Sequence, residues 1–366
     1  MSFTLTVGQE GPCSTATVVW SVDGNTYFFR SDNNFLAWIS TIFTVADAVA
    51  GGGGSSVVTT DPAPNTNIYA VNDLNVTGNT RGVGAVDLQQ NRGFATQVAS
   101  GQYSLIGGGA SNTASGNQSA ICGGDTNTAG GANSFVGSGY QNNASGYSST
   151  IAGGYQNTAS GDYTTVAGGR DNTASGLRST VGGGTDNNAS GDYTTVAGGR
   201  SNDASGQYPT VGGGRDNTAS SDYATVGGGR YNTSSNDYAT VAGGRSNTAS
   251  GYYATVAGGN GNTASANYAT VAGGFGNGAS GYGAIVGCGS GNSASGRYAT
   301  VGGGEGNSAS GDRSTVGGGK NNGTASDYAT VGGGLGNTAS SDNATVAGGY
   351  SNTASNTYAT VAGGQG

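Results

Sequence analysis

The chain has 366 residues, of which 76 are glycine and none histidine; 9% are charged, and the net charge is −8. The lack of histidine excludes Ser-His-Asp, Cys-His and histidine–metal chemistry in one step. An acidic chain with no basic stripe along its length is not expected to bind nucleic acid.

The first residues, MSFTLTVGQEG, have no basic segment and no long apolar run, so no Sec signal peptide is expected. No stretch approaches the ~18 apolar residues of a membrane helix, and no membrane insertion is expected. Residues 16–30, ATVVWSVDGNTYFFR, read as a hairpin-like β segment turning at Asp23-Gly24. Residues 33–51 read as a short amphipathic helix capped by Asn33 or Asn34 and ended by Gly51, with Phe35, Trp38, Ile39, Ile42 and Phe43 on one face. Both tryptophans and five of the eight phenylalanines fall in 1–50. Packing as a small core of their own is the plainer account of them. The functional account is an attachment or assembly module that docks to a particle or filament component through Trp20, Phe28, Phe35, Trp38 and Phe43. Residues 51–56, GGGGSS, are a flexible linker. Residues 57–102 form an irregular β connector that loosely resembles the connecting segments of phage tail-fibre and spike proteins.

From 103 to 366 the chain repeats. An aliphatic residue stands before each glycine cluster at Ile106, Ile121, Val136, Ile151, Val166, Val181, Val196, Val211, Val226, Val241, Val256, Val271, Val286, Val301, Val316, Val331, Val346 and Val361, a spacing of 15 throughout. Counting from each valine or isoleucine as zero, position +3 is always glycine, +6 always asparagine and +8 nearly always alanine. Position −1 is usually threonine and −3 often tyrosine, with exceptions such as Arg178, Gly283 and Asn343. Between Val316 and Val331, Gly323 reads as an insertion and the glycine expected after Ser326 is missing, so the turn is expected to be redrawn there while the valine register holds.

A period of 15 is too short for two packed helices, and glycine and asparagine at fixed places disfavour helix interiors. Short β-forming runs bounded by Gly-Gly and Asn describe one coil of a parallel β-solenoid. Seventeen steps of ~4.8 Å predict a rod of roughly 80 Å. The constant asparagines, among them Asn112, Asn172, Asn217, Asn247, Asn307 and Asn352, fit a hydrogen-bonded ladder of stacked amides. One valine per coil is a thin interior against the backbone entropy of ordering it. Three chains pooling their interiors, with the valine row at or near a common axis, is the expected remedy.

Thr-Val-Ala-Gly-Gly at 240–244 followed by Asn-Thr-Ala-Ser-Gly at 247–251 resembles the head repeats of trimeric autotransporter adhesins, the YadA-like family. The matching positions are the Val/Ile row, the glycine at +3, and the alanine and glycine at +8 and +10, over about 103–366. The resemblance implies an all-β, left-handed parallel β-roll, three chains to a head. The family's usual repeat is about one residue shorter, and neither heptads nor a membrane-anchor barrel is found here, so the resemblance bears on architecture more than on host binding.

No catalytic, cofactor or metal constellation emerges, and no enzyme activity is expected. Cys13, Cys122 and Cys288 form no metal spacing and imply no disulfide framework. Asp162, Asp192, Asp222 and Asp237 share position −4, but Gln207, Tyr252 and Asn267 interrupt the row, which reads as solvated surface rather than a calcium array. Arg200, Arg215, Arg230 and Arg245 share position +4 in consecutive coils. Like charges stacked in register repel. Either nearby Asp216, Asp222 and Asp237 neutralise them, or an anionic partner such as a host-surface glycan does.

The leading expectation is a homotrimeric fibre or spike on a virion or extracellular appendage, assembled without a Sec signal. A head fragment of a bacterial surface adhesin is the alternative. An ice-binding solenoid is a third reading, weakened because Asn143, Asn188, Asp203, Gly278 and Gly323 interrupt the threonines at +7.

Overall fold

The computed structural model describes residues 17–22, 25–30, 58–60, 67–69, 81–89 and 91–366. In the N-terminal part, β1 (Thr17–Val22) pairs antiparallel with β2 (Asn25–Arg30), with Val22 opposite Asn25. That register is the hairpin read from the sequence. A second short pair joins β3 (Val58–Thr60) to β4 (Asn67–Tyr69). The helix expected over 33–51 and the linker at 51–56 lie outside the described residues.

Beyond these, the chain is a parallel β-solenoid with 15-residue coils, and the described residues contain no helix. Each coil contributes to three parallel ladders. One is the two-residue strand at −1 and 0, as in Thr240–Val241 pairing with Thr255–Val256. The second is a single bridge at +4, as in Arg230 to Arg245. The third is the strand at +7 and +8, as in Thr248–Ala249 pairing with Thr263–Ala264. The ladder reaches below residue 103: Val86–Asp87 pairs with Leu105–Ile106 across a longer first coil.

Period-two alternation decides which residues enter. Position 0 points in and −1 points out; +8 points in and +7 points out. The interior of a coil is therefore one valine or isoleucine, one alanine, the asparagine at +6 and a small residue at −2. Val241, Ala249, Asn247 and Ala239 are each 0% exposed. No larger side chain fits so narrow a coil, and none is required, because neighbouring coils cover one another.

The valine row is closed by its own chain, from Ile106 through Val346 at 0% exposed. The expectation that this row lines a common axis of three chains is corrected: the row has no exposed surface to share. The small residues at −2 and +8, which the count of one valine per coil left out, complete the seal.

The coil containing Gly323 is also corrected. It is not redrawn. Gly323–Thr324 pairs in ordinary register with Ser308–Ala309 and Thr338–Ala339. Thr324 takes the inward place of alanine, 2% exposed, and its hydroxyl donates to Ser314 Oγ at 2.8 Å. A local hydrogen bond accommodates the polar atom where a detour of the backbone was expected.

The lower end is finished differently. Asp87 stands in the valine row and accepts from the Ala99 amide at 3.3 Å, with Arg81 Nε 3.8 Å away. Gln89 caps the asparagine row: its Oε1 accepts from Asn112 N at 2.8 Å, and its Nε2 donates to the carbonyls of Gln97 and Asn112.

Candidate recognition surface

The widest differences from coil to coil point outward, while the inward places vary only among small or aliphatic residues, so the candidate site is built from rows rather than from a pocket. Two inward rows set the frame. Each ladder asparagine before the last, Asn352, uses its whole amide. Asn247 Nδ2 donates to the carbonyls of Gly243 and Gly259, each at 2.9 Å, and its Oδ1 accepts from Asn262 N at 2.9 Å. Asn112, Asn172, Asn217, Asn307 and Asn352 make the same pair of carbonyl bonds in their own coils. These are bonds within the stack, and they leave nothing for a ligand. The glycine at +3 is their counterpart: Gly244 has φ of 93°, and a Cβ there would overlap the Gly259 carbonyl oxygen.

The row at −4 is not merely solvated. Asp162 Oδ1 accepts from Tyr147 N, Asp192 from Leu177 N and Asp222 from Gln207 N, each at 2.9 Å, one coil earlier. The carboxylate thus supplies the partner for a corner amide that the ladder leaves out. The sequence carries a sign of this, since Asn267 replaces aspartate in the row and accepts from Tyr252 N in the same way.

Position −3 carries the aromatic row. Tyr193, Tyr208, Tyr223, Tyr238, Tyr253 and Tyr268 stack as six rings, with centroids 4.6–5.6 Å apart and planes within 18° of parallel. Two of the exceptions noted in the sequence, at Arg178 and Gly283, continue this stack, as does Arg313. Arg178 lies between Tyr163 and Tyr193, its guanidinium 5.5 and 5.4 Å from the two ring centroids. Arg313 does the same between Tyr298 and Tyr328, at 5.8 and 5.5 Å. At Gly283 the missing ring is replaced edge-on by Tyr282, 5.4 Å from both Tyr268 and Tyr298. Burial among rings pushes the Tyr238 and Tyr282 phenols up. The neighbouring Tyr253 hydroxyl, with burial behind it, pushes Tyr252 up to about 12.

Position +4 is the row that varies most, and there the structure brings Arg200, Arg215, Arg230 and Arg245 onto consecutive rungs. Unit charges about 5 Å apart repel by ~1 kcal/mol in water and by more beside a protein. The expected neutralisation by Asp222 and Asp237 is not what these residues do. Asp222 accepts the Gln207 amide, and Asp237 accepts the Asp222 amide at 3.3 Å. Among the described residues only Asp216 forms an ion pair with the belt, at 2.8 Å from Arg215 Nε. Tyr231 stands between two members: its hydroxyl accepts from Arg215 Nη2 at 3.2 Å and from Arg230 Nη2 at 3.1 Å. The Arg230 guanidinium also lies over its ring at 4.6 Å. Hydrogen bonds from Arg230 and Arg215 lower the Tyr231 phenol from its ordinary value. Among the described residues, the side chains of Arg200 and Arg245 have no hydrogen-bond or ion-pair partner.

Comparison with known proteins finds no matching family model and no matching curated protein. The rows themselves therefore carry the functional argument. Of the docking candidates, Trp20 lies on β1 opposite Tyr27, and Phe28 lies on β2 opposite Val19. Phe35, Trp38 and Phe43 lie outside the described residues, as does Cys13. Cys122 and Cys288 are exposed free thiols. Among the described residues no cluster of His, Cys, Asp and Glu could hold a metal, and no helix is long and apolar enough to cross a membrane.

Proposed function

We propose that this chain is a structural rod of a fibre or spike, carried on a virion or an extracellular appendage, with residues 1–50 as its attachment module and the +4 row as its recognition face. The observation that carries the reading is the unbroken register of the ladders from Val86 to Val361, with an interior of small and aliphatic residues that varies little and outward rows that change from layer to layer. Such a stack is stiff, extended and built for presentation. We further propose that three parallel copies associate side by side. The exposed tyrosine row supports this, since only a partner with the same axial period meets every ring along its length.

Negative-stain images and light scattering of the full chain test both parts. Rods roughly 80 Å long, with a mass near three chains, are expected; rods of one chain overturn the trimer, and compact particles overturn the rod. Deleting 1–56 should abolish attachment to the particle or filament while leaving the rods intact.

A second reading has one observation in its favour. Thr150, Thr165, Thr180, Thr195, Thr210, Thr225, Thr240, Thr255 and Thr270 form an uninterrupted outward row on one parallel ladder, a surface suited to ordering water. Thermal hysteresis of the purified rod decides it, and a value near zero removes it.

A further inference from the structure

We propose that the row Arg200, Arg215, Arg230 and Arg245, centred on Tyr231, binds a short run of an anionic polysaccharide lying along the rod, with about one acid group per coil. This rests on the reading of the +4 row as the rod's recognition face, and it names the chemistry of the partner.

The first support is uncompensated charge. Four guanidiniums occupy consecutive rungs of one bridge ladder, and one carboxylate, that of Asp216, pairs with them. Arg200 and Arg245 are exposed, one at each end, and neither guanidinium has a hydrogen-bond or ion-pair partner among the described residues. The next carboxylates that could have served, Asp222 and Asp237, are committed to backbone amides at another corner of the coil.

The second support is Tyr231. Its oxygen accepts from two guanidiniums. An oxygen that accepts twice directs its own hydrogen elsewhere, and that hydrogen is free to donate to an incoming oxyanion. The two arginines are also held in place by the phenol, so their remaining N–H groups are positioned before the ligand arrives.

The third support is geometry. The arginines stand on consecutive rungs, at the ~4.8 Å spacing of the coils. An extended acidic peptide places same-face side chains about 6.6 Å apart and falls out of step. The rest of this chain, with net charge −8, repels a long polyanion such as a nucleic-acid duplex. Extended polysaccharides advance by about one coil spacing per sugar, and a uronate or sulfated sugar carries its charge at that interval. Neutral Thr185 and Asn260 bound the row, so the site takes a few sugars and no more.

Binding of fluorescent sulfated heparin oligosaccharide and of oligogalacturonate to the full chain tests this, with neutral oligoglucose and a six-nucleotide single strand as comparisons. Both acidic sugars are expected to bind, with affinity falling as salt rises. The variant R200S/R215S/R230S/R245S is expected to lose at least ten-fold in affinity, and Y231F several-fold. R297S/R313S, which removes two charges from other rows, is expected to bind as the parent does. R200S/R245S touches no bond within the rod and keeps the test open where the quadruple variant does not fold; it is expected to lose several-fold. The proposal is overturned by absence of binding to either acidic sugar, by unchanged affinity in R200S/R245S and Y231F, or by equal affinity for the oligonucleotide. Rods seen by electron microscopy alongside lost sugar binding count against this site alone, whereas absence of rods counts against the fibre reading.

Discussion

Tyrosine is an unexpected residue for a left-handed backbone. Tyr238 has φ of 58°, and so in kind do Tyr193, Tyr208, Tyr223, Tyr253 and Tyr268. A side chain in that region costs of order 1 kcal/mol that glycine does not incur. Here the ring offsets it by stacking on the coils above and below, at 4.8 and 4.6 Å. Aromatic pairs contribute ~0.5–1.5 kcal/mol each. Y238G and Y238A separate the two effects. Both lose the ring, but only alanine keeps the backbone strain, so Y238A should be less stable than Y238G by ~1 kcal/mol in chemical denaturation. Residue chemistry also sets the alkaline limit. The Tyr252 phenol, raised from 10.0 to about 12, is protonated more tightly in the fold than in the unfolded chain. Its contribution is therefore whole below pH 10 and lost as pH climbs from 10 to about 12. Tyr238 and Tyr282 are shifted in the same direction. Tyr231, which is lowered, runs the opposite way and ionises first. Absorbance at the phenolate band should rise in separate steps, the thermal midpoint should fall across that window, and Y252F should fall less.

At the scale of the coil, the asparagine is the residue whose loss costs most. N247A orphans the Asn262 amide and removes the amide donor from the Gly243 and Gly259 carbonyls. Buried groups left without partners cost ~1–3 kcal/mol each, so a loss of about 3 kcal/mol is expected in urea melts. N247D should be worse than N247A, because a carboxylate would face those two carbonyl oxygens with no hydrogen to donate. This coil was largely legible in the sequence: the period of 15 gave the valine, the glycine at +3 and the asparagine at +6 their places. What stayed hidden was whatever depends on a backbone partner one coil away. The aspartate at −4 looked solvated because the amide it accepts, such as Gln207 N, leaves no mark on side-chain pattern. Thr324 looked like a disturbance because its compensating partner, Ser314, lies ten residues back across the coil. The first coil escaped the count because Asp87 occupies the valine row and Ile106 follows it after more than one period.

Over the whole molecule, stability belongs to the register rather than to any one coil. Each layer touches only the next, so the stack behaves as a one-dimensional array in which coils are interchangeable while rows stay aligned. Deletion of residues 262–276 tests this. It joins Gly261 at +5 to Asn277 at +6 and returns valine, asparagine and alanine to their rows. The rod should shorten by ~5 Å and melt within a few degrees of the parent, with the arginine row untouched. Deletion of 262–277 removes one residue more and joins Gly261 to Gly278, leaving a 14-residue coil with no asparagine. That coil must either pull a residue out of a turn or turn a strand pair over, which sends an inward alanine outward. Its carbonyl at +2 and the +3 carbonyl of the coil that follows then lack the amide that every other coil supplies. The shorter deletion should keep a single cooperative melt, and the longer one should split or lower it sharply, with hydrogen exchange accelerated on both sides of the break. Equal melts for the two deletions would mean that the coils tolerate slippage, and that the constancy of the asparagine row has a cause other than the stack.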